Sequence, residues 1–302
     1  MFNVAVLIPC LNEQKTIYSV IKEIKKKLPK AKIYLFDNNS IDESKIMAKK
    51  AGAITFDVTT QGKGFVVRRM FSDVDADVYV MIDGDKTYDI SNIQKMIDML
   101  INNKLDMVVA KRISHDKKAY RFGHQMGNRL FSYLVKFIFG DKINDLFSGF
   151  RIFSKRFVKS FPCHSIGFEI ETELTIHALE QKLSVEEIEC KYFSRPKGSE
   201  SKLKTYEDGF KILNLILILL KDEKPLLFFF IFSLIFLSIS LSLGIPVVFD
   251  FFEKGTVEKL PTAILSGLIM IIAFLCFFSG LILDSLKKIR HEQKRLQYLK
   301  FN

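Results

Sequence analysis

The first two hundred residues alternate between short apolar runs and longer amphipathic stretches. The apolar runs are rich in valine, isoleucine and phenylalanine and have the length of β-strands; they lie at residues 2–8, 33–36, 53–58, 78–82 and 107–110. The amphipathic stretches place apolar residues three or four positions apart, as helices with one buried face do; they lie at residues 13–28, 65–71 and 90–101. Strands and helices in alternation predict an α/β domain built on a doubly wound sheet.

Two long uncharged runs follow nearer the C-terminus. Residues 226–249 give 24 positions, and residues 262–283 give 22, without a charged side chain. At about 1.5 Å per helical residue, each run reaches the roughly 30 Å of a bilayer's hydrocarbon core. A pair of buried core helices is the alternative, but such helices rarely stay uncharged beyond about 18 residues. We therefore expect two transmembrane helices, the first ended early or kinked by Gly244 and Pro246.

The charges around these two runs predict their orientation. Six lysines and arginines follow the second run, whereas the loop between the runs has two lysines beside three acidic residues. Basic flanks stay in the cytoplasm. We therefore expect an integral membrane protein, in the plasma membrane if its source is prokaryotic, with the N-terminal domain and the C-terminal tail both cytoplasmic.

The same patterns divide the chain into four parts. Residues 1–203 form the α/β domain, residues 204–224 a juxtamembrane amphipathic helix, residues 225–286 a two-helix transmembrane hairpin, and residues 287–302 a basic cytoplasmic tail. In residues 204–224, lysines flank an apolar stretch, which suits a helix lying on lipid headgroups or one packed on the domain. Its place directly before a span favours the headgroups.

Composition narrows the choice of partners. The chain has 45 lysines and arginines against 34 aspartates and glutamates, a formal net charge of +11 that indicates an anionic partner. The cations cluster beside the membrane segments and no nucleic-acid-binding motif occurs, so we expect a lipid or a phosphorylated substrate and no nucleic acid. Four scattered cysteines without a C-x-x-C argue against a disulfide framework or a zinc site. The N-terminus lacks a basic n-region, so we expect no signal peptide.

Acidic residues follow two of the predicted strands. Asp83 and Asp85 come directly after residues 78–82, and Asp37 follows residues 33–36. In doubly wound sheets ligands bind at the carboxyl ends of the strands. Paired carboxylates there can hold Mg²⁺ or Mn²⁺, which bridges a diphosphate, and Asp37 can bind a base or a ribose. A solvated turn explains each string taken alone; the position at strand ends favours a metal site at Asp83 and Asp85.

Basic residues beside glycines form a second set of candidates. Lys63 lies within a Gly-Lys-Gly string that lets backbone and cation approach a diphosphate. Arg151 follows a Ser-Gly turn, and with Arg121 and Arg129 it could bind phosphate. For any one of these arginines, a surface ion pair is the ordinary role.

The last candidates lie between residues 167 and 203. Glu169 and Glu171 precede a helix and could orient an acceptor or act as a base, or could be acids that favour the helix dipole. Arg195, Ser201 and Lys202 lie in a basic loop that could close over phosphates or rest on anionic lipid.

In their order along the chain these strings resemble the family-two glycosyltransferases of the GT-A fold. The chain looks most similar to the polyprenol-phosphate branch, which includes dolichol-phosphate mannose synthases and bacterial undecaprenyl-phosphate glycosyltransferases. The strings span about two hundred residues, and they are Ile8-Pro9-Cys10-Leu11-Asn12-Glu13, Asp37-Asn38-Asn39-Ser40, Gly62-Lys63-Gly64, Asp83-Gly84-Asp85, Ser148-Gly149-Phe150-Arg151 and residues 195–203.

The resemblance implies a Rossmann-like, nucleotide-sugar-binding domain and a reaction. A hexosyl group would pass with inversion from a nucleotide-sugar, UDP rather than GDP, to an undecaprenyl or dolichyl phosphate at the cytoplasmic membrane face, with Mg²⁺ or Mn²⁺ as cofactor. It also implies residue roles. The nucleotide would be bound by Pro9, Asn12, Glu13 and Asp37, and the metal and diphosphate by Asp83 and Asp85. The donor or acceptor phosphates would be bound by Lys63, Arg121, Arg129, Arg151, Arg195, Ser201 and Lys202, and catalytic roles would fall to Asp85, Arg151 and Glu169.

One departure and two rival hypotheses remain open at this point. Asn38 stands where many relatives have a second aspartate, which leaves that nucleotide contact uncertain. A processive polysaccharide synthase would use a Q-x-x-R-W motif, whereas this chain has no tryptophan. A non-catalytic membrane scaffold on a transferase fold is disfavoured by the intact Asp83 and Asp85. Gly267 and Gly280 are compatible with a homo-oligomer formed through the spans.

Overall fold

The computed structural model describes residues 2–113, 133, 135–136, 140, 143–167, 169–194 and 217–301. The chain divides into two compact units, one comprising Met1–Thr205 with Lys294–Asn302 and the other Tyr206–Gln293. The first unit carries a seven-stranded sheet within the described residues, and the second carries most of two long helices.

The first unit begins with strands and helices in alternation. They are β1 (Val4–Cys10), α1 (Ile17–Lys27), β2 (Lys32–Asp37), α2 (Ser44–Ala51), β3 (Ile54–Asp57), α3 (Lys63–Asp73), β4 (Val78–Met81), α4 (Ile93–Asn102) and β5 (Met107–Ile113). The second half adds β6 (Arg151–Ser154), α5 (Lys155–Ser160), α6 (Ile170–Glu180) and β7 (Val185–Lys191). The predicted α/β domain is confirmed, and β6 and β7 extend its sheet beyond the predicted strands.

The strand order is β3-β2-β1-β4-β6-β5-β7. All these strands run parallel except β6, which pairs antiparallel with both β4 and β5. Cys10 lies opposite Asp37, and Leu7 lies opposite Met81, so β1, β2 and β4 end close together. Because β6 runs the other way, it begins at this same edge with Arg151 opposite Met81.

The core forms where the apolar helix faces cover the sheet. In α1, Ile17, Ile21 and Ile24 recur every three or four residues and are fully buried. All four residues of β4 are buried, as expected of a central strand covered on both faces. This packing fixes the ends of β1, β2 and β4, and with them the loops that carry the polar residues.

The C-terminal residues are part of the first unit. The Tyr298 hydroxyl donates to Asp106 Oδ1 over 3.0 Å, and Lys294 pairs with Glu180 at 2.7 Å. Asp106 is buried and also accepts from Arg156 Nε at 2.5 Å. The sequence alone assigned these positions to a separate basic tail, whereas residues 294–301 pack on the α/β unit.

The second unit contains α7 (Pro225–Lys254) and α8, which begins in it and runs over Leu260–Leu299. Both helices are long and apolar enough to cross a membrane, with mean hydropathies of 2.6 and 2.5 over their most apolar stretches. The Ser240 hydroxyl donates to the Ser266 carbonyl over 2.8 Å. Gly244 and Pro246 do not end the first run early, because α7 continues through both, and the alternative that they kink it stays a prediction. Of the predicted juxtamembrane helix, residues 217–223 are helical and residues 204–216 lie outside the described part.

Candidate active site

The two clustered aspartates lie directly after β4, at the carboxyl edge of the sheet. Asp83 Oδ1 accepts from Lys63 Nζ at 2.6 Å, and Asp85 Oδ1 accepts from the backbone and hydroxyl of Thr87 at 3.1 and 2.6 Å. Asp85 is buried, with 3% of its surface exposed. Carboxylate oxygens are the donors that Mg²⁺ and Mn²⁺ prefer. The donor set therefore fits such an ion, which Asp83 and Asp85 would hold.

Lys63 joins Asp83 to another carboxylate, that of Glu171. Its ammonium lies 2.6 Å from Asp83 Oδ1 and 2.5 Å from Glu171 Oε1. Burial by itself lowers the pKa of Lys63, but the charges of Asp83 and Glu171 outweigh it and hold that pKa above its usual value. Burial raises the pKa of Glu171, an effect that Lys63 partly offsets. With all groups ionised, Asp83, Asp85 and Glu171 against one ammonium leave two negative charges, which match one divalent cation.

Three glycines let this cluster form. Gly64 donates its backbone N–H to the Ile166 carbonyl at 2.9 Å, and a Cβ on Gly62 or Gly64 would collide with the backbone of residues 165–166. This close approach brings α3, which begins at Lys63, against the loop before α6, which carries Glu171. A Cβ on Gly149 would collide with the Asp83 carboxylate. Glycine is therefore required at these positions for steric reasons.

A second group of polar residues lies where β1 and β2 end. Asp37 Oδ2 accepts from the Ser40 N–H at 3.2 Å, whereas its Oδ1 is buried and has no hydrogen-bond partner within the described residues. Asn12 Oδ1 accepts from the Ile41 N–H at 2.9 Å. Pro9 is half-buried in β1, and the Glu13 N–H donates to the Ser44 hydroxyl at 2.7 Å. A buried acceptor without a partner is costly, so Asp37 Oδ1 is suited to a ligand's N–H or O–H group.

Aromatic and charged side chains surround the turn at Gly149, which lies against Asp83. The Tyr88 hydroxyl accepts from the Gly149 N–H at 2.8 Å, and its ring meets the edge of Tyr192 at 5.1 Å. Arg112 binds Asp145 with two hydrogen bonds of 2.8 Å and lies over the Tyr192 ring. Burial opposes ionisation of Asp145, but the bonds from Arg112 hold its pKa below the usual value. The turn at Gly149 is held by its hydrogen bond to Tyr88.

Two residues expected to be catalytic have hydrogen-bond partners outside the pairing of Lys63 with Asp83 and Glu171. Arg151 is completely buried, and its guanidinium donates to Ser148 O, Leu146 O and Thr175 Oγ1 at 2.7–2.8 Å. These bonds occupy it within the interior, so the geometry offers it a positioning role and gives no contact surface for a phosphate. Glu169 is exposed and accepts from the Gly167 N–H at 3.2 Å, whereas Glu171 is the acid that reaches Lys63.

The remaining predicted phosphate contacts cannot be placed against this cluster. They lie outside the described residues, and they are Arg121, Arg129, Arg195, Ser201 and Lys202. Sequence reasoning also left out three residues that frame the site, for want of a signal in the local pattern: Tyr88, Arg112 and Tyr192.

Comparison with known proteins gives one family match and several named relatives for this chain. Residues 5–161 match the model of the family described as Glycosyl transferase family 2. The protein RfbJ of Shigella flexneri is 56% identical over 41% of this chain and 97% of its own. The glycosyltransferase AglJ of Haloferax volcanii is 28% identical over 98% of both chains. A dolichyl-phosphate hexose transferase of the same archaeon is 27% identical over 70% of this chain and 90% of its own.

Solved structures show the same fold. The glucosyl-3-phosphoglycerate synthase of Mycobacterium tuberculosis, crystallised with Mn²⁺, UDP-glucose and phosphoglyceric acid, superposes with a TM-score of 0.57 at 20% identity. The match covers 73% of this chain and 79% of that one. The α/β unit therefore has the GT-A fold.

Proposed function

This chain belongs to glycosyl transferase family 2, and from that premise we propose that it transfers a hexosyl group from a UDP-sugar to a polyprenyl phosphate at the cytoplasmic face of a membrane. The observation that carries the proposal is the acidic cluster after β4. There Lys63 pairs with both Asp83 and Glu171, and buried Asp85 follows two residues after Asp83, at the edge where sheets of this kind bind ligands.

The donor would lie along the carboxyl edge of β1, β2 and β4. Asp37, with its buried Oδ1 lacking a partner, would accept a hydrogen bond from the base or ribose, supported by Pro9, Asn12 and Glu13. Asp83 and Asp85 would hold Mg²⁺ or Mn²⁺, which would neutralise the charge that develops on the departing nucleotide diphosphate. The Mn²⁺ and UDP-glucose in the mycobacterial structure support this choice of ion and nucleotide.

Lys63 and Glu171 would hold the reacting groups in place. The Lys63 ammonium fixes Asp83 against Glu171, so the carboxylates need little rearrangement when the donor binds. Arg151, bonded to the turn at residues 146–148, would keep β6 and that turn in register. Arg121, Arg129, Arg195, Ser201 and Lys202 would meet the phosphates of donor or acceptor.

The acceptor is proposed from its chemistry and from the relatives. A lipid phosphate is ionised near neutral pH, so it can displace the nucleotide in one inverting step without a strong general base. The name of the dolichyl-phosphate hexose transferase and the two apolar helices both support a membrane-borne acceptor. The basic residues that follow the second uncharged run support a cytoplasmic face for the reaction.

The test is turnover by the full chain in detergent. It is supplied with Mn²⁺, undecaprenyl or dolichyl phosphate and a panel of UDP- and GDP-sugars, and both nucleotide release and lipid product are measured. We expect release from one UDP-sugar that needs both the lipid phosphate and the metal. Release that is independent of the lipid, or no release with any donor, would contradict the proposal; nucleotide binding without turnover would instead support a scaffold.

A further inference from the structure

Both the nitrogen and the oxygen of the Asn38 side-chain amide are hydrogen-bonded to backbone groups. It follows Asp37 at the end of β2 and is 4% exposed. Its side-chain Nδ2 donates to Val58 O at 3.1 Å and to Thr60 O at 2.7 Å, and its Oδ1 accepts from the Gly62 N–H at 2.8 Å. Three backbone groups, 20 to 24 residues away, are therefore held by one amide.

These bonds hold the segment that precedes Lys63. Residues 58–62 connect β3 to α3 without belonging to either, and Gly62 has a φ of +137°. Lys63 follows immediately, and its ammonium bridges Asp83 and Glu171. Gly64 on its far side packs on the loop at residues 165–166. The backbone at Lys63 is thus fixed by the Asn38 amide on one side and by glycine packing on the other.

Only an amide satisfies all three contacts. An ionised aspartate at position 38 could accept from the Gly62 N–H, but it has no N–H to give to the carbonyls of residues 58 and 60. It would instead place a carboxylate oxygen against those carbonyl oxygens, inside the protein and beside Asp37. Buried polar groups left without partners, and buried charges above all, destabilise the local structure.

We propose that Asn38 is a positioning residue for the transfer reaction: its side chain fixes residues 58–62 so that Lys63 bridges Asp83 and Glu171. This inference rests on the proposed function, and it gives the departure at position 38 a chemical reason. Asn38 touches neither the metal ligands nor Lys63 in the described contacts, and it acts through the backbone of residues 58–62.

The experiment combines turnover with amide hydrogen exchange in the full chain in detergent. We expect Asn38→Asp to lower kcat at least about tenfold, with a smaller change in KM for the donor, because a misplacement of the order of 1 Å slows an enzyme sharply. The peptide covering residues 58–66 should exchange faster, and the peptide covering β1 should not change. Asn102→Asp, the same substitution at an exposed site at the end of α4, is the matched control and should behave like the wild type.

A double-mutant cycle separates positioning from a general structural role. If Asn38 acts through Lys63, Asn38→Asp should add little to the loss caused by Lys63→Ala. Independent, multiplying losses in the cycle, or unchanged exchange in residues 58–66, would overturn the proposal. If Asn38→Asp does not fold, Asn38→Ser, which has no charge and is too short to reach all three backbone groups, takes its place with the same expectations.

The positioning role of Asn38 and the proposed function can fail independently in these experiments. A wild type without lipid-dependent release for any donor contradicts the function, while the exchange measurement still tests whether Asn38 holds residues 58–62. An active wild type with an equally active Asn38→Asp contradicts the positioning role alone.

Discussion

At the scale of single residues, several buried charges in the described part of the chain lie beside charges of opposite sign. Lys63 is shared between Asp83 and Glu171 at 2.6 and 2.5 Å, and Arg112 is matched to Asp145 by two bonds. Breaking such a pair leaves an uncompensated charge in the interior, which costs far more than losing a surface pair. The candidate site therefore depends on its complete set of charges.

His177 is a buried titratable residue that lacks this support within the described residues. It is 3% exposed, packs edge-on against Phe157 and Phe161, and both ring nitrogens have no hydrogen-bond partner within the described residues. Burial lowers its pKa from the usual 6.5 to about 3, with a smaller contribution from Lys294. At pH values between about 3 and 6.5, the unfolded chain therefore binds a proton at His177 and the folded chain does not.

Stability should consequently fall as the pH drops below about 6.5, and should do so partly because of His177. From pH 7.5 to pH 5 this one group accounts for about 2 kcal/mol, or a shift of about 4–8 °C in the thermal midpoint of a unit of this size. His177→Leu should remove that part of the acid sensitivity, measured by circular dichroism at both pH values. His164→Leu, at an exposed position, is the control; equal acid sensitivity in His177→Leu and the wild type would contradict the assignment.

Some residues of the candidate site can be predicted from the sequence, and others cannot. Asp37, Asp83 and Asp85 are predictable because each follows an apolar strand, and strand ends share one edge of the sheet. The pairing of Lys63 with Glu171 is not, because it joins positions 108 residues apart through a glycine contact that leaves no periodic pattern. For the same reason the sequence gives no means of choosing Glu171 over Glu169.

At the scale of elements, the antiparallel strand β6 shapes the site. Since β6 begins where β4 ends, the turn at Gly149 lies against the Asp83 carboxylate. The Tyr88 hydroxyl holds this turn through the Gly149 N–H. The geometry of Asp83 thus depends on Lys63 on one side and on the turn before β6 on the other.

Adding one methyl group at this turn should disturb the proposed metal ligand Asp83. The Cβ of Gly149→Ala would collide with Asp83 Oδ2, so Asp83 must move. We expect a higher Mn²⁺ concentration for half-maximal activity and a fall in turnover of about 100-fold, in line with the cost of a misplacement of the order of 1 Å. The control is Gly267→Ala, where a Cβ meets nothing within 4 Å. Wild-type Mn²⁺ activation in Gly149→Ala would show that Asp83 is not a ligand.

The first five strands could be read from the chain, but β6 and β7 could not. β6 has four residues and begins with Arg151, a charged residue that is buried only because three acceptors surround it. β7 contains three glutamates and is the terminal strand of the sheet, so it lacks the continuous apolar run of a central strand. Both strands depend on tertiary contacts more than on local pattern.

At the scale of the whole molecule, the α/β unit is completed by residues from the far end of the chain. Tyr298 is 5% exposed, donates to the buried Asp106, and lies under the guanidinium of Arg156. Asp106 itself connects the start of β5 to the turn before β7 by accepting from the Ser184 N–H. The C-terminal residues therefore stabilise the amino ends of the strands, opposite the candidate site.

Removing the Tyr298 hydroxyl should weaken this junction measurably. A hydrogen bond to a charged group contributes about 1.5–3 kcal/mol, so Tyr298→Phe should lower the thermal midpoint by several degrees. The measurement is circular dichroism of the full chain in detergent. Tyr18→Phe, at a side chain 40% exposed, is the matched control. If both variants have the thermal midpoint of the wild type, the C-terminal contact adds nothing to the stability of the unit.

Hydropathy predicts the two long apolar helices because uncharged runs of this length carry the signal in every residue. The attachment of residues 294–301 to the first unit was beyond sequence reasoning, since a basic, amphipathic tail gives no indication of what it packs on.

The central claim, that Asp83 and Asp85 hold a metal ion for glycosyl transfer, is tested most directly by Asp85→Asn. The amide oxygen can still accept from Thr87, so the loop should keep its structure while the proposed metal ligand loses its charge. Asp98→Asn, an exposed aspartate in α4, is the control. We predict that lipid-dependent nucleotide release falls at least about 100-fold in Asp85→Asn and stays at the wild-type rate in Asp98→Asn, with unchanged circular dichroism in both. Wild-type release by folded Asp85→Asn would contradict the account.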